Sequence, residues 1–312
     1  MKFAFVFPGQ GSQSIGMMTG YNDESIVRDT FLEASDILAQ NFWLMVNDGP
    51  AEDLNLTINT QPLMLMAGVA VYRAWEALGG DKPALLAGHS LGEYTALVAS
   101  GALSFADGLK LVRFRGQVMQ QAVPEGMGGM AAILGLEDAA VETVCQEVVA
   151  LNNQESLEPA NFNSPGQVVI AGHKNAVLKG IELAKEKGAK RAVMLPMSIP
   201  SHCRLMKPAA EKMQQQLEQV SLRSPDIPIL HNVDAKSHDD VNSIKAILTR
   251  QLFSPVRWVD TIKAFATEGI AHSVECGPGN ILTGLNKRID RNIQHVSLAN
   301  SDAIRQAVAN FK

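Results

Sequence analysis

The residues with the clearest chemical potential lie in Gly88-His89-Ser90-Leu91-Gly92, after the apolar run Leu85-Leu86-Ala87 and before Glu93-Tyr94. A strand, a G-x-S-x-G turn and a helix start give the serine a strained position. Its glycine neighbours leave room there, and its hydroxyl is lifted above the sheet. The N–H of Leu91 then points to where an oxyanion would form, and the helix dipole adds positive potential at the same place. Ser90 is the expected nucleophile of an acyl-transfer reaction. Its hydroxyl needs a base, and of the seven histidines His202, in the loop Pro200-Ser201-His202-Cys203, is the best candidate. His89 is held in the turn beside the serine and is expected to point away from the hydroxyl.

An orienting aspartate in the order Ser, Asp, His would have to be Asp107 or Asp138. Both read as helix starts: Ser104-Phe105-Ala106-Asp107 resembles a capping box, and Asp138 opens a second helix. The residues therefore predict a Ser/His dyad, the imidazole being oriented by a backbone carbonyl or an amide. Arg115 is the other unusual position. On a helix from Phe105 to about Ala122 its neighbours at helical spacing are Leu111, Val118 and Met119, so it is directed inward, whereas Arg113, beside Lys110 and Gln117, reads as a solvated charge. A buried guanidinium needs an anion, which is either an internal carboxylate or a substrate carboxylate clamped in bidentate fashion. Cys203 reads as packing beside the base, and Gly277-Pro278-Gly279 as a strand-to-helix turn.

The elements that must position these groups can be traced along the chain. Lys2 to Phe7 and Ala84 to Ala87 read as buried strands ending in glycine turns, with a helix from Thr60 to Leu78 between them; this is a parallel sheet with helical crossovers. From Gly129 the order becomes β-α-β-β-α-β: strands at Met130–Leu134, Pro159–Asn163, Gln167–Ala171 and Arg191–Leu195, helices at Glu137–Val149 and Asn175–Lys187. That is a complete ferredoxin-like unit. It is expected at 128–197 as an insertion in a discontinuous catalytic domain, 1–127 and 198–312, whose sheet resumes near Ile227–His231, His272–Glu275 and Gln294–Leu298. The fold class is α/β.

The 312 residues, 46% hydrophobic and 19% charged, suit a large folded enzyme. A net charge of -5 argues against a general nucleic-acid binder, and no run is apolar enough to span a bilayer. The Pro8-Gly9 break comes too early for a secretory segment, and three scattered cysteines fit a reducing cytoplasm, which is the expected location.

Phe5 to Gln13, Gln61-Pro62, Gly88 to Tyr94, Arg115-Gly116, Asn161 to Gln167, Pro200 to His202, Gln251 and Glu275 to Gly279 together closely resemble the malonyl-CoA:acyl-carrier-protein transacylases of bacterial type II fatty-acid synthesis. The resemblance extends over nearly the whole chain and is shared in part by the acyltransferase domains of fatty-acid and polyketide synthases. It implies an α/β-hydrolase-like core with a ferredoxin-like subdomain. It further implies that Ser90 holds the malonyl ester and His202 is general base and acid. The N–H groups of Gln10 and Leu91 would form the oxyanion hole, Arg115 would bind the free malonyl carboxylate, the Gln251 carbonyl would orient His202, and Asn161 would line the cleft. The partners implied are malonyl-CoA, coenzyme A and the phosphopantetheine arm of acyl carrier protein, with no metal or redox cofactor, and the chain is expected to act as a monomer. Lys190-Arg191 and Lys287-Arg288 are the expected docking surface for that acidic carrier. The residues alone leave open a serine esterase or thioesterase, an acyltransferase for another acyl-CoA, or a silent binding module.

Overall fold

Phe3-Ala4-Phe5-Val6-Phe7 is apolar at every position, the pattern of a strand covered on both faces. A computed structural model describes residues 2–197 and 199–311 of the chain. It places this run as β1 (Phe3–Phe7), fully buried. Four helices follow: α1 (Ser25–Leu38), α2 (Phe42–Asp48), α3 (Ala51–Asn55) and α4 (Thr57–Ala77). Then come β2 (Leu85–Gly88), α5 (Gly92–Ala99) and α6 (Phe105–Gln121). The sequence pattern starts α4 at Thr60, whereas the helix begins at Thr57 and runs through Pro62, which has no N–H to offer the carbonyl four residues before it.

The next stretch is β3 (Gly128–Leu134), α7 (Asp138–Leu151), β4 (Leu157–Ser164), β5 (Gln167–His173), α8 (Lys174–Glu186) and β6 (Arg191–Met194). After it run α9 (Lys207–Gln219), β7 (Ile229–Leu230), α10 (Val241–Gln251), α11 (Trp258–Thr267), β8 (His272–Glu275), α12 (Ile281–Ile289), β9 (Gln294–Ser297) and α13 (Ser301–Phe311). The strand expected over Ile227–His231 is reduced to two residues. Pro228 has no N–H to pair, and beyond Leu230 the chain turns, the Ala235 N–H donating to the His231 carbonyl.

Two sheets result. The first is parallel throughout, in the order β7-β2-β1-β8-β9. Alternate residues of β1 feed its two faces. Phe3, Phe5 and Phe7 enter a core with α1, α4, α5 and α6, where Phe5 meets Trp75 edge-on at 5.2 Å. Ala4 and Val6 enter the opposite core with Trp258, Ile262 and Phe265 of α11. The second sheet is antiparallel, in the order β4-β5-β3-β6. One face packs under α7 and α8 through Ile133, Val144, Ile170 and Val177. The other, through Met130, Ala160, Val169 and Ala171, closes on Cys203, next to the predicted base.

One local expectation changes and another holds. Arg113 is half-buried and donates to the Leu38 carbonyl at 3.1 Å, so it is a structural donor instead of a free surface charge. The Gly277-Pro278-Gly279 turn does lead into a helix, and the buried N–H groups of Leu282 and Thr283 in its first turn donate to the Glu275 carboxylate at 3.1 and 2.7 Å. That helix start is satisfied from within the chain.

Candidate active site

Parallel strands deliver their following loops to one edge, and the chemistry collects there. Ser90 follows β2, with φ +52° in the left-handed region that a residue with a side chain adopts only under constraint. The constraint is visible. Its N–H donates to Asn232 Oδ1 at 2.7 Å, and Asn232 Nδ2 donates to the Gly88 carbonyl at 2.7 Å, so one side chain from the loop after β7 staples both ends of the turn. The glycines are needed for approach: a β-carbon on Gly92 would lie 2.1 Å from the Phe7 carbonyl oxygen, and one on Gly9 would lie 2.4 Å from that of His89. The loop after β1 is thereby pressed against the serine turn, with the Gly9 β-carbon position 3.7 Å from the Leu91 nitrogen and Gln10 the next residue along that loop. Neither the Gln10 nor the Leu91 N–H finds an acceptor among the described residues, as an oxyanion site requires.

His202 reaches this edge from the stretch after β6, also with a left-handed φ of +63°. Its N–H donates to the Leu252 carbonyl. Its Nδ1 lies 2.8 Å from the Gln251 carbonyl oxygen and its Nε2 lies 2.7 Å from Ser90 Oγ. A carbonyl only accepts, so the ring proton is on Nδ1, and the bare Nε2 accepts from the serine hydroxyl. Burial, reinforced by the Arg115 charge, holds the imidazole well below its ordinary value, at about 3. The ring is therefore neutral, the form a base needs.

Arg115 is 1% exposed, as its helical position predicted. Its partners are amides and a hydroxyl: Nη1 donates to Gln61 Oε1 at 2.9 Å, and Nη2 donates to Gln251 Oε1 at 3.0 Å and to Ser90 Oγ at 3.2 Å. No carboxylate pairs with it among the described residues, and its Nε has no partner. The internal salt bridge considered from sequence is absent there. Burial pulls its pKa down, while the nearby Tyr94 and Glu93 push it up.

His89 points away from Ser90, as expected: its Nε2 bonds to Asn163 Oδ1 at 2.8 Å and its ring packs on Trp258. Asn163 lies next to the end of β4, so this bond ties the antiparallel sheet to the serine turn. Asn161 is buried one turn of the pleat earlier, where the chain bridges to Val256. Asp107 caps α6 with Ser104 and lies outside the site. Cys203 donates to the Pro200 carbonyl, buried beside the base, and burial pushes its thiol up to about 12. Lys190, Arg191, Lys287 and Arg288 are all exposed. Sequence reasoning missed Asn232, Glu93 and the side chains of Gln61 and Gln251. Only Glu93 left a local signal, a charge in the otherwise apolar start of α5.

Residues 4–301 match the acyl transferase domain family. The malonyl CoA-acyl carrier protein transacylase of Salmonella typhimurium is 51% identical over 289 residues, which cover 92% of this chain and 93% of that protein. The crystal structure of an acyl-carrier-protein S-malonyltransferase from Burkholderia pseudomallei aligns with a TM-score of 0.97 at 53% identity, covering 99% of this chain and 100% of that one. A malonyl-transacylase solved in complex with its type II PKS acyl-carrier protein aligns with a TM-score of 0.97 at 45% identity, covering 99% of this chain and 100% of that one. A serine turn, a neutral histidine and a buried arginine held by amides thus occur on a fold shared over essentially its full length, and the chain belongs to the acyl transferase domain family and, within it, to the malonyl CoA-acyl carrier protein transacylases.

Proposed function

We propose that this protein transfers a malonyl group from malonyl-CoA to the phosphopantetheine thiol of acyl carrier protein, through an ester on Ser90. The observation that carries the reading is the Arg115 guanidinium, buried without a carboxylate partner among the described residues and 3.2 Å from the Ser90 hydroxyl. A malonyl ester on Oγ would present its free carboxylate one methylene beyond the acyl carbonyl, within reach of that group.

Ser90 Oγ attacks the thioester carbonyl while His202 Nε2 takes the hydroxyl proton. The oxyanion is received by the N–H groups of Gln10 and Leu91. Collapse breaks the C–S bond, and His202 returns the proton to the departing sulfur of coenzyme A. The carrier thiol then repeats the steps in reverse. Every bond change is accounted for by one serine, one histidine and two thiols, so the reaction balances without a metal or redox cofactor. The Gln251 carbonyl takes the orienting place of an aspartate, and Asn161 lines the cleft below the antiparallel sheet. Residues 128–197 act as a subdomain on a catalytic domain of 1–127 and 198–312, a division supported by the separate core under α7 and α8. Ser90, His202, Gln10, Leu91 and Arg115 together supply every role in these steps, and we propose that the chain acts as a monomer. No helix among the described residues is long and apolar enough to cross a membrane, and we place the enzyme in the cytoplasm.

For the carrier we propose the surface containing Lys190, Arg191, Lys287 and Arg288. Arg288 donates to Gln167 at 2.9 Å, Gln167 pairs with Leu134, and Leu134 pairs with Arg191, so the two basic pairs meet along one edge. Reversing these charges is expected to raise the carrier-protein KM at low salt, the rise fading as salt is added. An unchanged KM places docking elsewhere.

The deciding experiment combines malonyl-CoA with the protein, with and without carrier protein, and follows intact mass and released thiol. A malonyl adduct on Ser90 that moves to the carrier is expected. Rapid hydrolysis unaffected by carrier would make the protein a thioesterase, and no adduct would leave a binding module.

A further inference from the structure

Beneath the serine turn lies a buried carboxylate that the mechanism above does not use. Glu93, in the first turn of α5, is 0% exposed, as are His231, Asn232 and Gln251. Its Oε1 bonds to His231 Nδ1 at 2.7 Å, and its Oε2 accepts from the Asn232 N–H at 3.0 Å and from Gln251 Nε2 at 2.9 Å. The Gln251 amide also donates to the Ser90 carbonyl at 2.8 Å, and its opposite end, Oε1, accepts from Arg115 Nη2 at 3.0 Å.

A primary amide has two chemically opposite ends that differ little in shape, so its direction is set by what faces it. Glu93 Oε2 and the Ser90 carbonyl oxygen both only accept. They therefore demand the NH2 end of Gln251, and the carbonyl end is left to face the guanidinium. The reversed amide would set three oxygens against one another and turn two N–H donors onto a cation. With Glu93 and Gln251 0% exposed and Arg115 1% exposed, each such mismatch is expensive. Nη2, the nitrogen held by Gln251, is the same nitrogen that reaches Ser90 Oγ.

We infer that Glu93 is a positioning residue for acyl-group selection: by fixing the direction of the Gln251 amide it aims Arg115 at the carboxylate of the acyl group on Ser90. The inference rests on the malonyl reading of the site. Its effect should be largest on acyl groups that have a distal carboxylate, because His202 is oriented by the Gln251 main-chain carbonyl, which the amide direction does not alter, and the one bond the reversal takes from the serine turn, Gln251 Nε2 to the Ser90 carbonyl, bears on every acyl group alike.

The test is a set of four proteins, wild type, Glu93→Gln, Arg115→Ala and the double variant, assayed for Ser90 acylation by malonyl-CoA and by acetyl-CoA. Glutamine at 93 keeps the size of the side chain but can donate, which permits the Gln251 amide to reverse. Glu93→Gln is expected to lower kcat/KM for malonyl-CoA by at least about tenfold and that for acetyl-CoA by less than about threefold. On the Arg115→Ala background it should produce almost no further loss, because the two residues act in series. Equal losses for both acyl groups, or a full loss that persists without Arg115, would overturn the inference in favour of a purely structural carboxylate. If Glu93→Gln does not accumulate as folded protein, Gln251→Met, which retains the main-chain carbonyl, must show the same malonyl-selective loss, and an unchanged malonyl-to-acetyl ratio overturns the inference. A wild-type protein that shows no preference for malonyl refutes the functional reading itself, whereas a wild-type preference untouched by Glu93→Gln refutes only the role of Glu93.

Discussion

Replacing Arg115 by alanine is the perturbation that bears most directly on substrate identity. The guanidinium is 1% exposed, is held by Gln61 and Gln251, and reaches the Ser90 hydroxyl. With malonyl on Ser90, its N–H groups would gain a charged acceptor. A charge-assisted hydrogen bond contributes about 1.5–3 kcal/mol, and leaving a buried charge without its partner costs roughly 2–5 kcal/mol. A loss of about 3–4 kcal/mol in malonyl transfer follows, which is roughly 10²–10³-fold in kcat/KM. For acetyl-CoA the effect is small. Acetyl has nothing to offer the guanidinium, so removing Arg115 removes an unpaired buried charge, and acetyl transfer should change by less than about tenfold in either direction. The assay measures Ser90 acylation by the two thioesters in single turnover, with thermal unfolding as a check on the fold. Equal losses for malonyl and acetyl would refute the reasoning and leave Arg115 as a structural residue that props up the serine turn.

Further expectations follow from the same geometry. His202 sits at about 3 in the folded protein against an ordinary value near 6.5, so the acid side of kcat/KM should lack a histidine limb between about pH 5 and pH 8. A limb centred near the ordinary histidine value would refute the neutral, buried base. Because the unfolded chain binds this proton first as pH falls, His202 should also lower stability progressively from its ordinary value down toward its folded one, which urea unfolding at several pH values would detect. Asn232→Leu removes both staples of the serine turn, the bonds to the Ser90 N–H and the Gly88 carbonyl. It should lower kcat for malonyl and acetyl alike by about 10–100-fold, and a malonyl-selective loss would contradict that role. Asn163→Leu strips the buried His89 Nε2 of its partner across the two sheets. It should cost about 1–3 kcal/mol in denaturant unfolding, and a change within error would mean the tie is dispensable.

The parts of this protein legible in its sequence are those governed by contacts between near neighbours. β1 is recognisable because every residue of Phe3–Phe7 is apolar, the serine turn because glycines flank Ser90 between a strand and a helix, and the inward aim of Arg115 because helical spacing puts Leu111, Val118 and Met119 on its face. The βαββαβ order of strands and helices was visible for the same reason. The edges were less so, as in β7, where Pro228 and the turn at His231 shorten a strand that composition alone would have extended.

What only the tertiary structure decided is which groups meet across long separations. The absence of a usable aspartate showed that His202 needs another partner, but the 2.7 Å contact with Ser90 depends on a left-handed backbone at His202 that its local sequence does not demand. Helical periodicity showed that Arg115 is buried and could not say whether a carboxylate waits for it inside; the fold presents Gln61 and Gln251 instead. Asn232 holds the Ser90 N–H from 142 residues away because the sheet order sets β7 beside β2. Glu93 was present in the motif from the start, but its work depends on Gln251, 158 positions later. Local patterning selects elements, since it reflects what one helix or strand must bury. The partners of buried polar groups are selected by the requirement that each donor and acceptor be satisfied in three dimensions, and that requirement can be read only once the sheets have set which loops share an edge.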